Sequence, residues 1–166
     1  MRRKFNNKKV PNDKSYVKGF THVQILQNGD VVGDSGWHEN LITNNGYLMY
    51  LTGLLGNSGT SKQVSRAVIG SGSTPVAADT ALPGEFSQAG YSRTSVTYAI
   101  SATKTAQFTM SWGSVSSHFT VSTTLGNLGL INSTASAGSL MCGVGFATSQ
   151  LNTNQDVQAT YEIRFA

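Results

Sequence analysis

Residues 105–113 read Thr-Ala-Gln-Phe-Thr-Met-Ser-Trp-Gly, and apolar side chains alternate with polar ones along the stretch. Ala106, Phe108, Met110 and Trp112 fall on one face of an extended chain, because successive side chains of a β-strand point to opposite faces. The intervening Thr, Gln and Ser side chains fall on the other face. The pattern predicts an antiparallel strand with one buried face and one solvated face.

Similar patterns recur elsewhere in the chain. Residues 157–165 give a second clear alternation, and shorter segments predict strands over 21–27, 30–32, 67–69, 96–100, 119–123 and 140–146. Asn28-Gly29 separates the first two short segments and favours a hairpin turn, since both turn positions need positive φ. The sequence thus predicts about eight strands in an antiparallel β-sandwich or jelly-roll-like barrel. We expect its core to contain Phe108, Trp112, Val144, Tyr161 and Phe165.

One segment follows a helical rhythm instead. Leucines recur between Leu48 and Leu55 at the spacing of one helix face, so the sequence predicts an amphipathic helix over about residues 44–55. Asn40 or Asn44 is the expected N-cap, and the glycine at position 56 the expected stop. A membrane-surface helix would carry Lys or Arg on its polar face, and this one has none, so we expect it to pack against the core.

Length and composition fit a single domain. A chain of 166 residues can bury a core without metal or disulfide support, and Cys142, the only cysteine, cannot form an intramolecular disulfide. Charged residues make up 12%, against a typical value of about 25%, which suits a surface packed against copies or partners better than that of a cytosolic enzyme. An ordinary secreted β-domain is the alternative. Residues 2–18 lack an apolar segment, so we expect no signal peptide or membrane span and synthesis in a cytoplasm.

Positive charge is concentrated at the N-terminus. The first eighteen residues carry a net charge of +6, whereas residues 19–166 carry −2. We therefore divide the chain into a basic arm, residues 1–18, and a single β-sandwich domain, residues 19–166. Such an arm can bind an acidic neighbouring subunit or nucleic acid, or it can serve as a solubilising tail. The cations assigned to partner binding are Arg2, Arg3, Lys4, Lys8, Lys9, Lys14 and Lys18.

The sequence contains none of the familiar motifs for catalysis, cofactor binding or metal binding. Residues 70–75 read Gly-Ser-Gly-Ser-Thr-Pro, but they lack both the lysine of a phosphate-binding loop and the third glycine of a dinucleotide fingerprint. His22, His38 and His118 have no neighbour at metal-ligand spacing. Cys142 lies in an apolar segment where burial makes a thiol unreactive, and no carboxylate pair is singled out. We expect no enzyme, cofactor or metal site, and we interpret the glycine-rich loop as a tight turn.

Five short motifs follow one another along the rest of the chain. They are Asn-Leu-Ile-Thr-Asn-Asn-Gly at 40–46, Val-Ile-Gly-Ser-Gly-Ser-Thr-Pro at 68–75, Asp-Thr-Ala-Leu at 79–82, Gly-Leu-Ile at 129–131 and Tyr-Glu-Ile-Arg-Phe at 161–165. Their order resembles the β-modules of tailed-bacteriophage virion proteins, which include head-decorating, baseplate and tail-fibre-associated proteins. The resemblance covers about residues 20–166 and implies a structural module without catalytic residues. The basic arm is not part of this pattern.

The expected function is therefore that of a non-enzymatic virion structural protein. It would decorate a phage capsid or form part of the tail or baseplate, assembled with its own copies and other virion proteins and anchored by its arm. One alternative is the coat protein of a small virus whose arm binds packaged genome. Another is a carbohydrate-binding module, which would need an exposed aromatic residue such as Trp37 or Tyr91 on a concave surface.

Overall fold

The computed structural model describes residues 16–55, 63–87, 91, 93–113, 119, 121–132 and 138–165. Within these ranges the chain forms nine strands and one helix, so the predicted mostly antiparallel β-fold is confirmed. No described helix is both long and apolar enough to cross a membrane. The elements are β1 (Val17–Gln27), β2 (Asp30–Ile42), α1 (Asn44–Leu55), β3 (Arg66–Gly70), β4 (Thr94–Ser95), β5 (Thr97–Ala102), β6 (Thr105–Trp112), β7 (Thr123–Ile131), β8 (Leu140–Leu151) and β9 (Gln155–Phe165).

The strands form one sheet that curls into a nearly closed, barrel-like shape. Their order is β4-β3-β7-β8-β2-β1-β9-β6-β5, and every pairing is antiparallel. Strand β4, at one end of the sheet, approaches β6, the strand next to the other end, where the Thr94 hydroxyl donates to the Ser111 carbonyl at 2.9 Å. On the opposite side, β2 and β8 pair only at Leu41 and Ile42 and then diverge.

The N-terminal hairpin forms at the predicted turn. Asn28 and Gly29 have φ values of 54° and 90°, so both positions are left-handed, as a type I′ turn requires. Strand β1 starts earlier than predicted, at Val17, and β2 runs to Ile42, far beyond the predicted short return strand. Two irregularities in the β1–β2 register shift side chains between faces, which hides the alternation of β2 in the sequence.

The alternation of residues 105–113 produces the strand that closes the core. Strand β6 pairs with β9 in a register that sets Phe108 opposite Tyr161 and Trp112 opposite Val157. All four side chains are buried, and so is Val144 from the opposite side of the barrel. The core predictions for Phe108, Trp112, Val144 and Tyr161 are confirmed.

The core prediction for Phe165 is wrong. Its side chain is 37% exposed, because it is the last residue of β9 and the end of this strand extends past the packed interior. The ring packs edge-on against Tyr50 of α1, with ring centroids 6.3 Å apart. The alternation at the C-terminus therefore continues for one apolar residue beyond the core.

Strand β7 differs most from the sequence expectation. The structure places it at Thr123–Ile131, whereas the apolar pattern predicts a strand over 119–123. Every residue of β7 from Leu125 onward is buried, so no alternation marks the strand. One face points into the barrel, and the other lies beneath residues 71–86, which wrap over the sheet. The buried cluster under that segment consists of Val68, Leu82, Ile131 and Leu140.

Helix α1 spans Asn44–Leu55, as predicted, but the predicted N-cap, Asn40 or Asn44, is wrong. The fully buried Thr43 is the N-cap, because its hydroxyl oxygen accepts the Gly46 backbone N–H at 3.0 Å. The same hydroxyl donates to the Leu140 carbonyl of β8 at 2.7 Å, which ties the start of the helix to the sheet. Asn40 belongs to β2 and Asn44 is already helical. The expected stop at residue 56 lies outside the described residues.

A matched pair of tryptophan variants tests this arrangement. Trp112 is 3% exposed and Trp37 is 51% exposed. We expect Trp112→Ala to lower the free energy of unfolding by about 3 to 5 kcal/mol, because it leaves a cavity. Trp37→Ala removes the same atoms from the surface and should cost about 1 kcal/mol or less. Urea unfolding followed by circular dichroism measures both, and equal losses would contradict the assigned core.

Candidate functional site

The middle of the outer face of β1, β9 and β6 carries neutral polar side chains at positions that alternate with the core, whereas Glu162, Arg164 and Lys18 lie toward one end of the same face. Cross-strand neighbours in such a sheet have Cβ atoms roughly 5 Å apart, so these side chains form a continuous surface. They line an outer groove of about 320 Å³ that reaches the junction of β4 and β5. One row consists of His22, Thr160, Thr109 and Thr97, and the next of Gln24, Gln158 and Ser111.

Asp34 of β2 orients two side chains of this groove. His22 Nε2 donates to Asp34 Oδ1 at 2.6 Å, and Gln24 Nε2 donates to Asp34 Oδ2 at 2.9 Å. The Gly36 backbone N–H also donates to Asp34 Oδ1, at 2.7 Å. These hydrogen bonds, first that from Gly36 and then those from Gln24 and His22, lower the pKa of Asp34 from 3.8 to about 2. The carboxylate stays ionised at neutral pH and fixes both groove residues.

An aromatic ring lies just beyond the groove, because Trp37 of β2 is opposite His22 on the side away from Thr160. The rings of His22 and Trp37 stack with centroids 5.4 Å apart and planes 27° apart, and the outer face of Trp37 is open to solvent. Tyr91, the other aromatic residue considered for a sugar site, is fully buried and stacks on Phe119 at 4.2 Å. The expectation that Tyr91 could present an exposed ring is therefore wrong, and Trp37 alone of the two fits that role.

A second cavity opens where β2 and β8 diverge. This β2–β8 cleft has a volume of about 230 Å³ and an apolar floor formed by Val23, Ile25 and Leu125. Ser35 and His38 lie at its rim, where His38 Nε2 donates to the Ser35 carbonyl at 2.6 Å. The cleft leads toward the core, and its rim groups are engaged with each other.

The glycine-rich loop packs tightly against the sheet. The buried Asn127 amide of β7 donates to the Ser73 carbonyl at 3.0 Å and to the Pro83 carbonyl at 2.8 Å, which holds both arms of the loop. A Cβ atom on Gly70 would lie 2.5 Å from the Gly84 carbonyl oxygen, so a side chain there would separate the two arms. The glycine therefore allows close backbone packing, in line with the interpretation of this segment as a tight turn.

Three of the five motifs that resemble phage modules, those at 40–46, 68–75 and 79–82, meet at this loop, whereas the motif at 161–165 lies on β9. The Asn44 backbone N–H donates to the Ala77 carbonyl at 2.8 Å, and the Leu140 N–H donates to the Thr80 carbonyl at 2.8 Å. These bonds join the start of the helix, the loop and the start of β8. The motifs thus serve packing of the chain rather than a cluster of reactive groups.

Other candidate reactive residues are dispersed in the described chain. Cys142 is buried as predicted, and burial raises its pKa to about 12, so the thiol is a poor nucleophile. Glu85 accepts hydrogen bonds from Arg93 Nε at 2.6 Å and from Arg93 Nη2 at 2.9 Å. Within the described residues, His, Cys, Asp and Glu form no group of three that could hold a metal ion. His118 lies outside those residues.

The residues assigned to the basic arm fall mostly outside the described chain. Lys18 is described, lies on β1, and places its Nζ atom 3.1 Å from the Glu39 carboxylate of β2. Both side chains are exposed, so the pair contributes little to stability. Since β1 begins at Val17, the last two residues of the proposed arm belong to the sheet. The cations outside the described residues are Arg2, Arg3, Lys4, Lys8, Lys9 and Lys14.

Comparison of this chain with protein-family models, curated proteins and solved structures found no match. The groove must therefore be interpreted from its own geometry.

Sequence analysis identified Trp37 but missed the polar residues beside it. The polar positions of the alternating segments could have indicated the groove, because they include Gln24, Thr109 and Gln158. The sequence alone does not give the register that aligns these residues across three strands.

The Asp34 network predicts a specific acid titration. Because the pKa of Asp34 is lowered to about 2, its hydrogen bonds should add stability above pH 3.8 that disappears as the pH falls through about 2. The carboxylate is partly exposed, so solvent screening reduces the effect on folding, and NMR titration of its carboxyl carbon is the direct measurement. In a His22→Ala, Gln24→Ala variant we expect the midpoint to rise, but to stay below 3.8 because the Gly36 bond remains. A midpoint near 3.8 in the unmodified protein would contradict the network.

Proposed function

We propose that this chain is a non-enzymatic structural protein of a bacteriophage virion, made in the host cytoplasm. It decorates the capsid or forms part of the tail or baseplate, and it assembles with its own copies and with other virion proteins rather than with a membrane. The observation that carries the proposal is an exposed, uncharged edge strand. The order of motifs that resembles phage virion modules gives further support.

The edge strand is β5, Thr97–Ala102. All six of its residues are exposed, and Ile100, which is 74% exposed, lies near the exposed ring of Tyr98. Strand β5 is the last in the sheet, and within the described chain its second edge pairs with no strand. Proteins normally protect such edges with charged residues or proline, because open backbone groups recruit other strands. Since β5 contains neither, it is suited to pairing with another subunit.

Low surface charge supports the same conclusion. Charged residues make up 12% of the chain, and several of those described are engaged with each other. Burying an unpaired charge between subunits is costly, whereas neutral hydroxyl and amide groups can exchange water for partner hydrogen bonds. The outer face of this protein can therefore be covered by neighbours at little electrostatic cost.

We also propose how the strands divide into layers. Two features of the pairing support this division: β2 pairs with β8 only at Leu41 and Ile42, and the consecutive strands β4 and β5 pair with different neighbours, β3 and β6. Strands that change partners at corners are typical of two packed sheets. We therefore assign the domain to a β-sandwich of jelly-roll type, which places β5 at one corner.

Residues 1–18 act in this proposal as a basic anchoring arm. Their net charge of +6 is attached to a domain with a net charge of −2, so attraction to an acidic neighbour is local to the arm. The anchoring cations are Arg2, Arg3, Lys4, Lys8, Lys9, Lys14 and Lys18.

Truncation of the arm tests the anchoring role. Deleting residues 1–15 leaves β1 intact, and we expect the shortened protein to lose binding to empty phage shells or tails. A full-length variant with the six lysines and arginines before Val17 changed to glutamine should show the same loss, since charge rather than length is responsible. Cosedimentation with particles of the encoding phage measures both. Undiminished binding would refute the anchor, whereas selective loss of nucleic-acid retention, with a log-log salt slope of about −5, would indicate the coat-protein alternative.

Single substitutions test the edge strand. Ile100→Lys places a charge on β5 and should shift the protein toward the monomer, because pairing would bury an unpaired ammonium. Val76→Lys adds the same charge at an exposed valine on a turn and should leave association unchanged. Sedimentation velocity over a range of concentrations gives the oligomeric state. A wild-type protein that stays monomeric, or an equal effect of both lysines, would contradict self-pairing through β5.

A further inference from the structure

The outer groove has the composition of a site for an uncharged, hydroxyl-rich ligand. The residues that line it in the described chain are His22, two glutamines and several serines and threonines, together with backbone of the core positions. They include no Lys, Arg, Asp or Glu. Arg66 reaches only the far end, where it donates a hydrogen bond to Ser95. The groove volume of about 320 Å³ falls in the roughly 300–1,000 Å³ range of small-molecule sites.

The groove offers side chains rather than open backbone. Strand β9 is paired along its length with β1 on one side and β6 on the other, so its N–H and C=O groups are used in the sheet. A peptide strand could not add to the sheet here. Any ligand must be recognised by the polar side chains that project from the face, and by the adjacent ring of Trp37.

Several of these polar groups remain available for a ligand. Among the described residues, no hydrogen bond engages the side chains of Gln158, Thr160 or Thr109. Because Gln24 donates its Nε2 to Asp34, its Oε1 is free to accept, and the second ring nitrogen of His22, Nδ1, has no partner among the described residues. A fixed acceptor beside rotatable hydroxyls and an amide suits a ligand whose groups both donate and accept, as sugar hydroxyls do.

The Trp37 ring supplies an apolar platform at the edge of this polar row. It stacks on His22, which Asp34 holds in place, so the ring lies in a fixed position with one face open. A pyranose ring has an apolar C–H face and a polar rim of hydroxyls, which matches an aromatic face beside hydrogen-bonding side chains. A nucleic acid could also stack on Trp37, but its phosphates would find no cation in the groove lining.

We propose that the outer groove binds a neutral oligosaccharide, with one sugar ring stacked on Trp37 at the end of the row and the hydroxyls of the following rings paired with Gln24, Gln158 and Thr160. The site lies on the paired strands β1, β9 and β6, so it does not depend on the edge strand β5 or on the basic arm. The inference extends the proposed structural role by giving one face of the domain a ligand, and either can hold without the other.

Saturation-transfer NMR on the full chain tests the proposal with four neutral probes: maltotriose, cellotriose, chitotriose and β-1,4-galactotriose. We expect at least one to bind at millimolar concentration or below and to change the fluorescence of the exposed Trp37. Trp37→Ala should weaken that binding roughly tenfold or more, and Gln158→Ala should also weaken it. Trp37→Phe should retain part of the affinity, because a smaller aromatic face remains.

Tyr47→Ala is the matched control, because it removes an exposed aromatic ring from helix α1, away from the groove. It should bind the probe as the wild type does. Dispersed amide spectra for each variant show that the domain is folded. Failure of all four probes, equal binding by Trp37→Ala and wild type, or binding confined to anionic sugars would each overturn the assignment. None of these results would affect the tests of the arm and of β5, so the two proposals fail separately.

Discussion

The buried amide of Asn127 is the interaction on which the arrangement of the chain most depends. It lies on the doubly covered strand β7 and donates to the carbonyls of Ser73 and Pro83, which belong to the two arms of one loop. With that loop in place, its Ala77 and Thr80 carbonyls accept the N–H groups of Asn44 and Leu140. A single buried side chain therefore sets the position of a loop that in turn holds the helix start and strand β8. Leaving either carbonyl unpaired in this interior would cost about 1 to 3 kcal/mol.

Glycine makes this arrangement possible, because the loop approaches the sheet more closely than a side chain would permit. A Cβ atom at Gly145 would lie 2.1 Å from the Thr74 hydroxyl oxygen, and one at Gly46 would lie 2.0 Å from the Met141 carbonyl oxygen. The loop covers one side of the barrel and leaves the opposite side uncovered. There, β1, β9 and β6 have no covering segment in the described chain, and their outer side chains form the groove.

The sequence predicted those elements whose environment differs between two faces. Strands β6 and β9 have one buried and one solvated face, and the Asn28-Gly29 turn is set by local backbone preference, so each could be recognised from neighbouring residues. Strand β7 could not, because both of its faces are buried and its glycines break the apolar pattern. The cap at Thr43 also escaped prediction, since its second partner, Leu140, is distant in the sequence. The candidate groove depends on register between three strands, and only its aromatic residue, Trp37, was identifiable beforehand.

The role of Asp34 beside the groove follows from its position and its charge. Glycoside hydrolysis requires two carboxyl groups on either side of the bond, separated by roughly 5 to 10 Å. The groove lining carries no carboxylate among the described residues, and Asp34 lies behind it with both oxygens engaged by Gly36, His22 and Gln24. Its lowered pKa keeps it ionised, so it is unsuited to donate a proton to a leaving group at neutral pH. A carboxylate held in this state positions His22 and Gln24 rather than donating a proton.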